Sequence, residues 1–445
     1  MRSSRLRSRT LAALLLVLVA GAARAQDNVL VIVIDDVGVD RIGAYREHPS
    51  PGNTPTVDQL AASGMLFRNA WVHPSCTPTR AALLTGRYPA RYDLGAPLIA
   101  ADPAGLPLSE ITIPEMLEAG TAGLYTSVAL GKWHLAALSD GPRHPLDQGF
   151  AHHRGSLGNF ADYFHWSKTI DGVTDFVDAY ATTDLVDDAI VQIELLTEPW
   201  FLWLAFNAAH VPFHAPPDDL HSFALSGPPR DTPVEHMKAA VEALDTELGR
   251  LLGSIDPDVL GRTTIILVGD NGTTPEATDA PFDPEHAKAT AYEGGVNVPL
   301  IVAGPRVRAP GSESRALVAA VDLFATVADI AGVDLPAVMG GTHLDSISFL
   351  PHLQDPDLPS TRSWVFTDGF VPNGPGPYVR RTLGARNERY KIVLFRSYIL
   401  ARPQHELFDL LLDPFEQENL LDGRKILKRL FTDLYDPLQA LVEGF

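Results

Sequence analysis

Residues 28–36 read NVLVIVIDD, six consecutive apolar residues at 29–34 followed by two adjacent aspartates. An unbroken, mostly β-branched run suits a strand buried on both faces, as in the interior of a mostly parallel sheet. Such a sheet needs helices on both sides, and its ligands gather beyond the carboxyl ends of the strands. Asp35 and Asp36 stand at that end. Neighbouring carboxylates repel, so they call for a cation or for several hydrogen-bond donors.

The pattern returns twice. PWFLWLAFNAAH predicts a strand near 201–206 with His210 shortly after it, and RTTIILVGDNG predicts one near 264–268, then Asp270 and Asn271. Between them, Met237, Val241, Leu244, Leu248 and Leu251 recur at helical spacing with charged residues interleaved. The expected fold is α/β: a large mixed, mostly parallel sheet sandwiched by helices. A helix is expected over 315–330 and a boundary within the Pro-rich 350–363. Beyond it, WVFTDG and YKIVLFRSYIL read as short strands and 424–441 as a terminal helix, giving a smaller C-terminal α+β domain with a short antiparallel sheet. The divisions expected are 1–25, 26–355 and 356–445.

The first 25 residues have an Arg-rich start, a short apolar run and a small-x-small ending at Ala23 and Ala25. That is the form of a signal peptide, predicting cleavage after Ala25 and export to the periplasm or beyond. The run falls short of the roughly 20 apolar residues that span a bilayer, so no stable membrane insertion is expected. Losing its five arginines takes the formal charge from −20 to −25, which disfavours nucleic acid and anionic lipid as partners. One cysteine in 445 residues excludes an intramolecular disulfide, and packing must hold the fold.

That cysteine opens CTPTRAALLTG, which reads as a helix start with Thr77 as N-cap, Pro78 at the first position and Gly86 as the stop. Cys76 would lie beside open amides, a natural anion site. Arg80 in the first turn opposes the helix dipole unless an anion offsets it. On these residues alone, an inert buried thiol followed by a surface arginine is an equal alternative. Asp35, Asp36, Asp270 and Asn271 offer hard oxygens suited to Ca²⁺ or Mg²⁺. GKWHL supplies Lys132 and His134, and HAKATAYEGG supplies Lys288. With Arg80 and His210 these would form a cationic cup over a divalent ion, as hydrolysis of a phosphate or sulfate ester requires.

Cys76, Pro78 and Arg80, followed by LLTGRYP, match a Cys-x-Pro-x-Arg signature. GKWHL, AFNAAHVPFHAP, EALDTELGRLL, VGDNG, YEGGVNVPLIVAGP and HELFDLLLDPFEQENL follow in order. Over residues 28–420 the chain thereby resembles the formylglycine-dependent, arylsulfatase-like sulfatases of the alkaline phosphatase-like superfamily. The resemblance implies that a separate maturation enzyme converts Cys76 to formylglycine. Asp35, Asp36, Asp270, Asn271 and an oxygen of the modified Cys76 would hold Ca²⁺, with Mg²⁺ as the other candidate. Arg80 and Lys132 would hold the aldehyde hydrate, and His134 would take its proton. His210 and Lys288 would face the sulfate of a small-molecule or carbohydrate ester and help the leaving oxygen depart. The hydrate attacks sulfur with one hydroxyl, and its second hydroxyl later expels sulfate by C–O cleavage. Thr79 stands where many relatives have Ser, and Ala136 where Gly is usual. Two rival readings are a phosphoester or phosphonate hydrolase of the same superfamily and a non-catalytic binder of sulfated glycans. Trp133, Phe160, Trp166 and Phe213 are candidates to flank a substrate ring, or equally core residues. The loops 93–109, 139–170 and 211–232 lie near the site motifs.

Overall fold

In the computed structural model, residues 26–397, 404–422 and 432 are described. The expected signal peptide and the helix expected over 424–441 lie outside these residues, apart from the single position 432. A ten-stranded sheet organises the fold. Its strands are β1 (Asn28–Ile34), β2 (Met65–Trp71), β3 (Thr126–Gly131), β4 (His152–Gly155), β5 (Trp166–Ile170), β6 (Val173–Val177), β7 (Trp200–Ala205), β8 (Thr263–Gly269), β9 (Leu300–Ala303) and β10 (Ser312–Ala319). They lie in the order β10-β2-β9-β8-β1-β7-β3-β4-β5-β6. The central β8-β1-β7-β3-β4 block is parallel, while β9, β5 and β6 introduce antiparallel pairs.

The apolar runs have the reason the sequence suggests. Val29, Val31 and Val33 of β1 enter the core on one face of the sheet, and Leu30, Ile32 and Ile34 enter the core on the other. β7 divides likewise, with Phe201 and Trp203 on the first face and Trp200, Leu202 and Leu204 on the second. Alternate side chains of a strand point to opposite faces, so a strand covered on both sides must be apolar throughout.

Helices cover both faces. The longer ones are α1 (Pro55–Ser63), α2 (Cys76–Thr85), α3 (Ile113–Thr121), α4 (Ala181–Leu195), α5 (Pro233–Ser254) and α6 (Asp322–Ala331). α5 buries Met237, Val241, Leu244, Leu248 and Leu251 on one stripe, as their spacing predicts. α2 is buried all round, all ten residues from Cys76 to Thr85 being inaccessible. The helix expected over 315–330 begins only at Asp322, because 312–319 forms β10, parallel to β2. Its start alternates exposed Glu313 and Arg315 with buried Ser314 and Ala316, a two-residue period rather than a helical one.

A second, antiparallel sheet follows, in the order β11 (Val365–Val371), β12 (Arg380–Arg386), β13 (Tyr390–Ser397) and β14 (Gln404–Asp409). It docks beside the loop that leads into α2: Thr367 Oγ1 donates to the Val72 carbonyl at 2.8 Å, and Phe370 N donates to the Gly95 carbonyl at 3.1 Å. The expected α/β architecture with a smaller C-terminal sheet is therefore present. Among the described residues, no helix is long and apolar enough to cross a membrane.

Candidate active site

Four strand ends and two further segments meet at the carboxyl edge of the large sheet. β1 leads into Asp35 and Asp36, β3 into Lys132 and His134, β7 into the loop carrying His210, and β8 into Asp270 and Asn271. The start of α2 brings Cys76 and Arg80, and the loop before Glu293 brings Lys288. Asp36 (φ 61°) and His134 (φ 56°) both hold left-handed backbone, a conformation that is uncommon outside glycine and concentrates at functional sites. Gly131 (φ 87°) makes the turn that aims Lys132. A Cβ there would come within 2.0 Å of the Ala205 carbonyl oxygen.

The carboxylates are tied to the cations. Arg80 donates from Nε to Asp270 Oδ2 at 2.8 Å, from Nη1 to the Lys132 carbonyl at 2.7 Å and from Nη2 to Asp35 Oδ2 at 3.3 Å. Lys132 Nζ pairs with Asp35 Oδ2, and Lys288 Nζ with Asp36 Oδ1. Arg80 thus meets its opposite charge in two buried aspartates, which answers why a cation occupies the first turn of a helix. Asn271 Nδ2 donates to Asp36 Oδ1 at 2.7 Å, and Asp36 N donates to Asp270 Oδ1 at 3.4 Å.

Three oxygens are left over. Asp35 Oδ1, Asp36 Oδ2 and Asn271 Oδ1 are buried without a hydrogen-bond partner. A buried acceptor without a donor is costly and calls for an explanation. Asp35, Asp36 and His210 present ligand atoms all within 4.8 Å of one another, the one such group of acidic, His or Cys side chains among the described residues. His210, which the sequence reading placed at the sulfate, belongs to that group geometrically, its Nε2 lying 3.9 Å from Asp36 Oδ2. Carboxylates and an amide carbonyl are the donor set of a hard divalent cation, so the residues fit Ca²⁺ or Mg²⁺.

The protonation pattern follows from burial and neighbours. Burial pushes the Asp35 carboxyl up, but Lys132, His210, Arg80 and Lys288 outweigh it and hold it well below the usual carboxylate range. Asp270 is pushed up to about 7 by burial and by the charge of Asp35, against Arg80 and Lys132. Burial raises the Cys76 thiol, and Lys132 and Lys288 only oppose this, so a free Cys76 is a neutral thiol rather than an activated thiolate. Burial, then Lys132 and Arg80, hold His134 well below its ordinary value and so neutral.

Cys76 Sγ lies 3.1 Å from His134 Nδ1, and His134 Nε2 lies 3.1 Å from the Leu98 carbonyl oxygen. A carbonyl only accepts, so the proton of the neutral ring sits on Nε2 and Nδ1 turns a lone pair to residue 76. α2 starts at Cys76 with Ser75 as its N-cap, so neither Thr77 nor Pro78 has the place expected for it. Pro78 falls third, where its missing N–H is still outside the helical ladder. The Thr77 hydroxyl instead donates to the His134 carbonyl at 3.0 Å and accepts from Leu98 N at 3.1 Å, fixing both neighbours of the imidazole. Sequence spacing gave no sign of this, nor of Tyr163, whose hydroxyl lies 2.7 Å from the carbonyls of both Asn207 and His210. Trp133 and Trp166 are core residues, and Phe160 and Phe213 are half-buried against the core.

Known proteins are similar to this chain over most of its length. Residues 27–333 match the Sulfatase family, and residues 285–443 match "N-sulphoglucosamine sulphohydrolase, C-terminal". Arylsulfatase A of Bos taurus is 34% identical over 92% of this chain and 86% of its own length. Arylsulfatase A of Homo sapiens is 33% identical over the same shares. The crystal structure of Ps i-CgsB in complex with k-i-k-neocarrahexaose superposes with a TM-score of 0.80 at 25% identity, over 94% of this chain and 92% of that one. A buried Cys-x-Pro-x-Arg helix start, a carboxylate cluster with unpartnered oxygens and this extent of similarity lead to one conclusion: the chain belongs to the sulfatase family, enzymes that hydrolyse sulfate esters through a formylglycine nucleophile made from cysteine.

Proposed function

We propose that this chain cleaves a sulfate ester at residue 76 in its aldehyde form, over a Ca²⁺ ion held by Asp35, Asp36, Asp270 and Asn271. The observation that carries this reading is the set of three orphaned oxygens on Asp35, Asp36 and Asn271 beside the buried Cys76. When present, the converted residue supplies a nucleophilic hydroxyl together with a second hydroxyl for sulfate release, and the cation supplies positive charge to the sulfate oxygens.

The chain's own groups do the rest. Arg80 and Lys132 bracket Asp35 and keep cationic charge beside residue 76. His134 Nδ1 is placed to take a proton from residue 76, with Thr77 and the Leu98 carbonyl holding its tautomer. Burial lowers Lys288, but Asp36, Cys76 and Asp35 raise it more, so it remains an ammonium able to face a sulfate oxygen. His210 Nδ1 is 2.7 Å from the Val211 carbonyl, which leaves Nε2 towards the site. Burial and Lys132 keep His210 largely neutral in the free protein. An arriving sulfate raises its proton affinity, and the resulting imidazolium can protonate the leaving oxygen. Export and a maturation enzyme for Cys76 complete the reading: the first rests on the form of residues 1–25, the second on the chemistry that a thiol needs to become an aldehyde.

Peptide mass spectrometry of the segment containing Cys76, run beside a sulfate-release assay, tests this reading. Activity should scale with the fraction of residue 76 in aldehyde form, and Cys76→Ala should abolish turnover with the fold intact. Full turnover by Cys76→Ala, or by a preparation holding only thiol, would overturn it.

A further inference from the structure

His210 is held differently from the other charged groups of the site. Asp35, Lys132 and Asp270 each follow directly on the last residue of a strand, at the ends of β1, β3 and β8. His210 lies further out, on a connection that runs from Ala205 to Pro233 without a strand or an α-helix. Among the described residues its imidazole has one hydrogen-bond partner, the carbonyl of the adjoining Val211, 2.7 Å from Nδ1. The direction of Nε2 is therefore set by the main chain that carries the ring, not by a side chain gripping it.

That main chain is a turn over 207–210, closed by His210 N donating to the Asn207 carbonyl at 2.9 Å. Its middle is bound to the end of β1: Ala209 N donates to the Asp35 carbonyl at 2.8 Å, and Asp35 N donates to the Ala208 carbonyl at 3.2 Å. Its two ends meet at Tyr163, whose hydroxyl lies 2.7 Å from the carbonyl oxygens of both Asn207 and His210. The Asn207 carbonyl already accepts from His210 N, so the one hydroxyl proton serves the His210 carbonyl. Tyr163 is itself buried and anchored. Its ring stacks on His214 with centres 3.8 Å apart and meets Phe160 edge-on at 4.9 Å, and its carbonyl accepts from Ala181 N at the start of α4. His214 Nδ1 lies 3.1 Å from the Pro212 carbonyl and so carries the proton, which leaves Nε2 to accept from the Tyr180 hydroxyl at 3.2 Å. A buried hydroxyl gives up its water, and here its bonds go to the turn that carries His210.

We propose that Tyr163 is a positioning residue for His210: its hydroxyl fixes the 207–210 turn and thereby the place of His210 Nε2 at the leaving oxygen. This rests on the sulfate-ester reading above, in which the Nε2 proton passes to the ester oxygen as its bond to sulfur breaks. A misplacement of about 1 Å can cost about 100-fold in such a step. The effect is selective. An ester of an acidic alcohol departs with little help, whereas an ester of a weakly acidic alcohol depends on the proton that His210 delivers. Loss of the Tyr163 hydroxyl therefore falls hardest on the poorest leaving groups, while a general loosening of the fold would slow all esters alike.

The test measures kcat/KM, which includes alcohol departure even where a later step limits kcat, on protein whose residue 76 conversion has been verified by mass. The esters are 4-nitrophenyl sulfate, phenyl sulfate and glucosamine 6-sulfate, in order of falling acidity of the alcohol. Tyr163→Phe keeps the ring and its stack and removes only the hydroxyl. On the least acidic alcohol that the wild type releases, kcat/KM should fall at least about tenfold, a part of what a placed general acid supplies. On more acidic alcohols the loss should shrink towards about threefold or less. Tyr180→Phe is the matched control, since it removes a buried hydroxyl that reaches His214 and not the turn. It should cost less than about threefold on every ester. His210→Gln should show the same ordering as Tyr163→Phe with a larger amplitude. A loss equal across the esters in Tyr163→Phe, its failure to fold, an equal loss in Tyr180→Phe, or no such ordering in His210→Gln would overturn the positioning role and leave sulfate-ester hydrolysis standing. Failure of the converted wild type to release sulfate from all three esters would overturn that reading and the positioning role together.

Discussion

Of the buried ionic clusters among the described residues, two are built to opposite ends. In the one beneath the C-terminal sheet, Glu293 and Glu416 meet Arg386 and Lys391. Lys391 Nζ is 3.1 Å from Glu293 Oε1 and 2.7 Å from Glu416 Oε1. Arg386 Nη1 reaches Glu293 Oε2 at 2.9 Å, and Glu293 N donates to Glu416 Oε2 at 2.5 Å. Two carboxylates face two cations; Glu416 Oε1 has no hydrogen-bond donor but lies 2.7 Å from Lys391 Nζ, and Lys391 also lies 4.8 Å from the centre of the Trp71 ring. The active-site cluster has three carboxylates and three cations, yet it leaves Asp35 Oδ1 and Asp36 Oδ2 without a hydrogen-bond donor. Charge balance alone does not distinguish a structural cluster from a working one. Convergence does: in this open cluster Asp35, Asp36 and His210 present ligand atoms to one point, whereas the one Glu416 oxygen without a donor is held against Lys391.

The difference separates function from stability, and substitutions can break it. The largest effect is expected for Asp36→Ala, which removes an open-cluster oxygen: turnover should fall roughly 10³-fold or more, since loss of a cation's charge costs several kcal/mol of transition-state stabilisation. Its thermal stability without metal should fall modestly, because relief between two adjacent carboxylates only partly offsets the loss of the Asp36 acceptor for Lys288 Nζ and Asn271 Nδ2. Retained activity together with a large stability loss would show the open cluster to be structural.

Lys391→Met should do the reverse. It strands Glu416 and leaves Glu293 with Arg386 alone, so a urea melt should show a loss of about 3–5 kcal/mol, the scale for breaking a buried pair, while cation affinity persists. A loss of cation affinity at unchanged stability would contradict the division.

A smaller effect concerns pH. Burial and the charge of Glu293, against Lys391, push Glu416 up to about 7 from its ordinary 4.5. The folded chain then holds more protons than the unfolded chain between these values, so this group's contribution to stability falls as pH rises from 4.5 to about 7. Glu416→Gln removes that titration. Melting temperatures across the window should decline less steeply with rising pH in the variant than in the parent, and parallel curves would rule out the assigned protonation.

Much of the candidate site was legible as a set of residues that come together, because they lie at strand ends and in one helix start. β1, β7 and β8 announce themselves as apolar runs, and the polar residues after them are a few positions away in sequence. The stripe on α5 was legible for the same local reason. What escaped depends on distant partners or on fine local geometry. β10 begins with mixed residues whose period shows only once it pairs with β2. Thr77 was read as a cap because Ser, Thr and Pro near a helix start share one signature, and its true partners are 57 and 21 residues away. Glu293 and Lys391 are 98 residues apart, and nothing in YEGG or YKIVLF links them.

Calorimetric titration of Ca²⁺ into chelator-treated protein tests the contrast between the clusters most directly. One binding site is expected in the wild type, lost in Asp36→Ala and retained in Lys391→Met. Unchanged Ca²⁺ binding in Asp36→Ala, or no binding by the wild type, would contradict the assignment of the open cluster as a cation site.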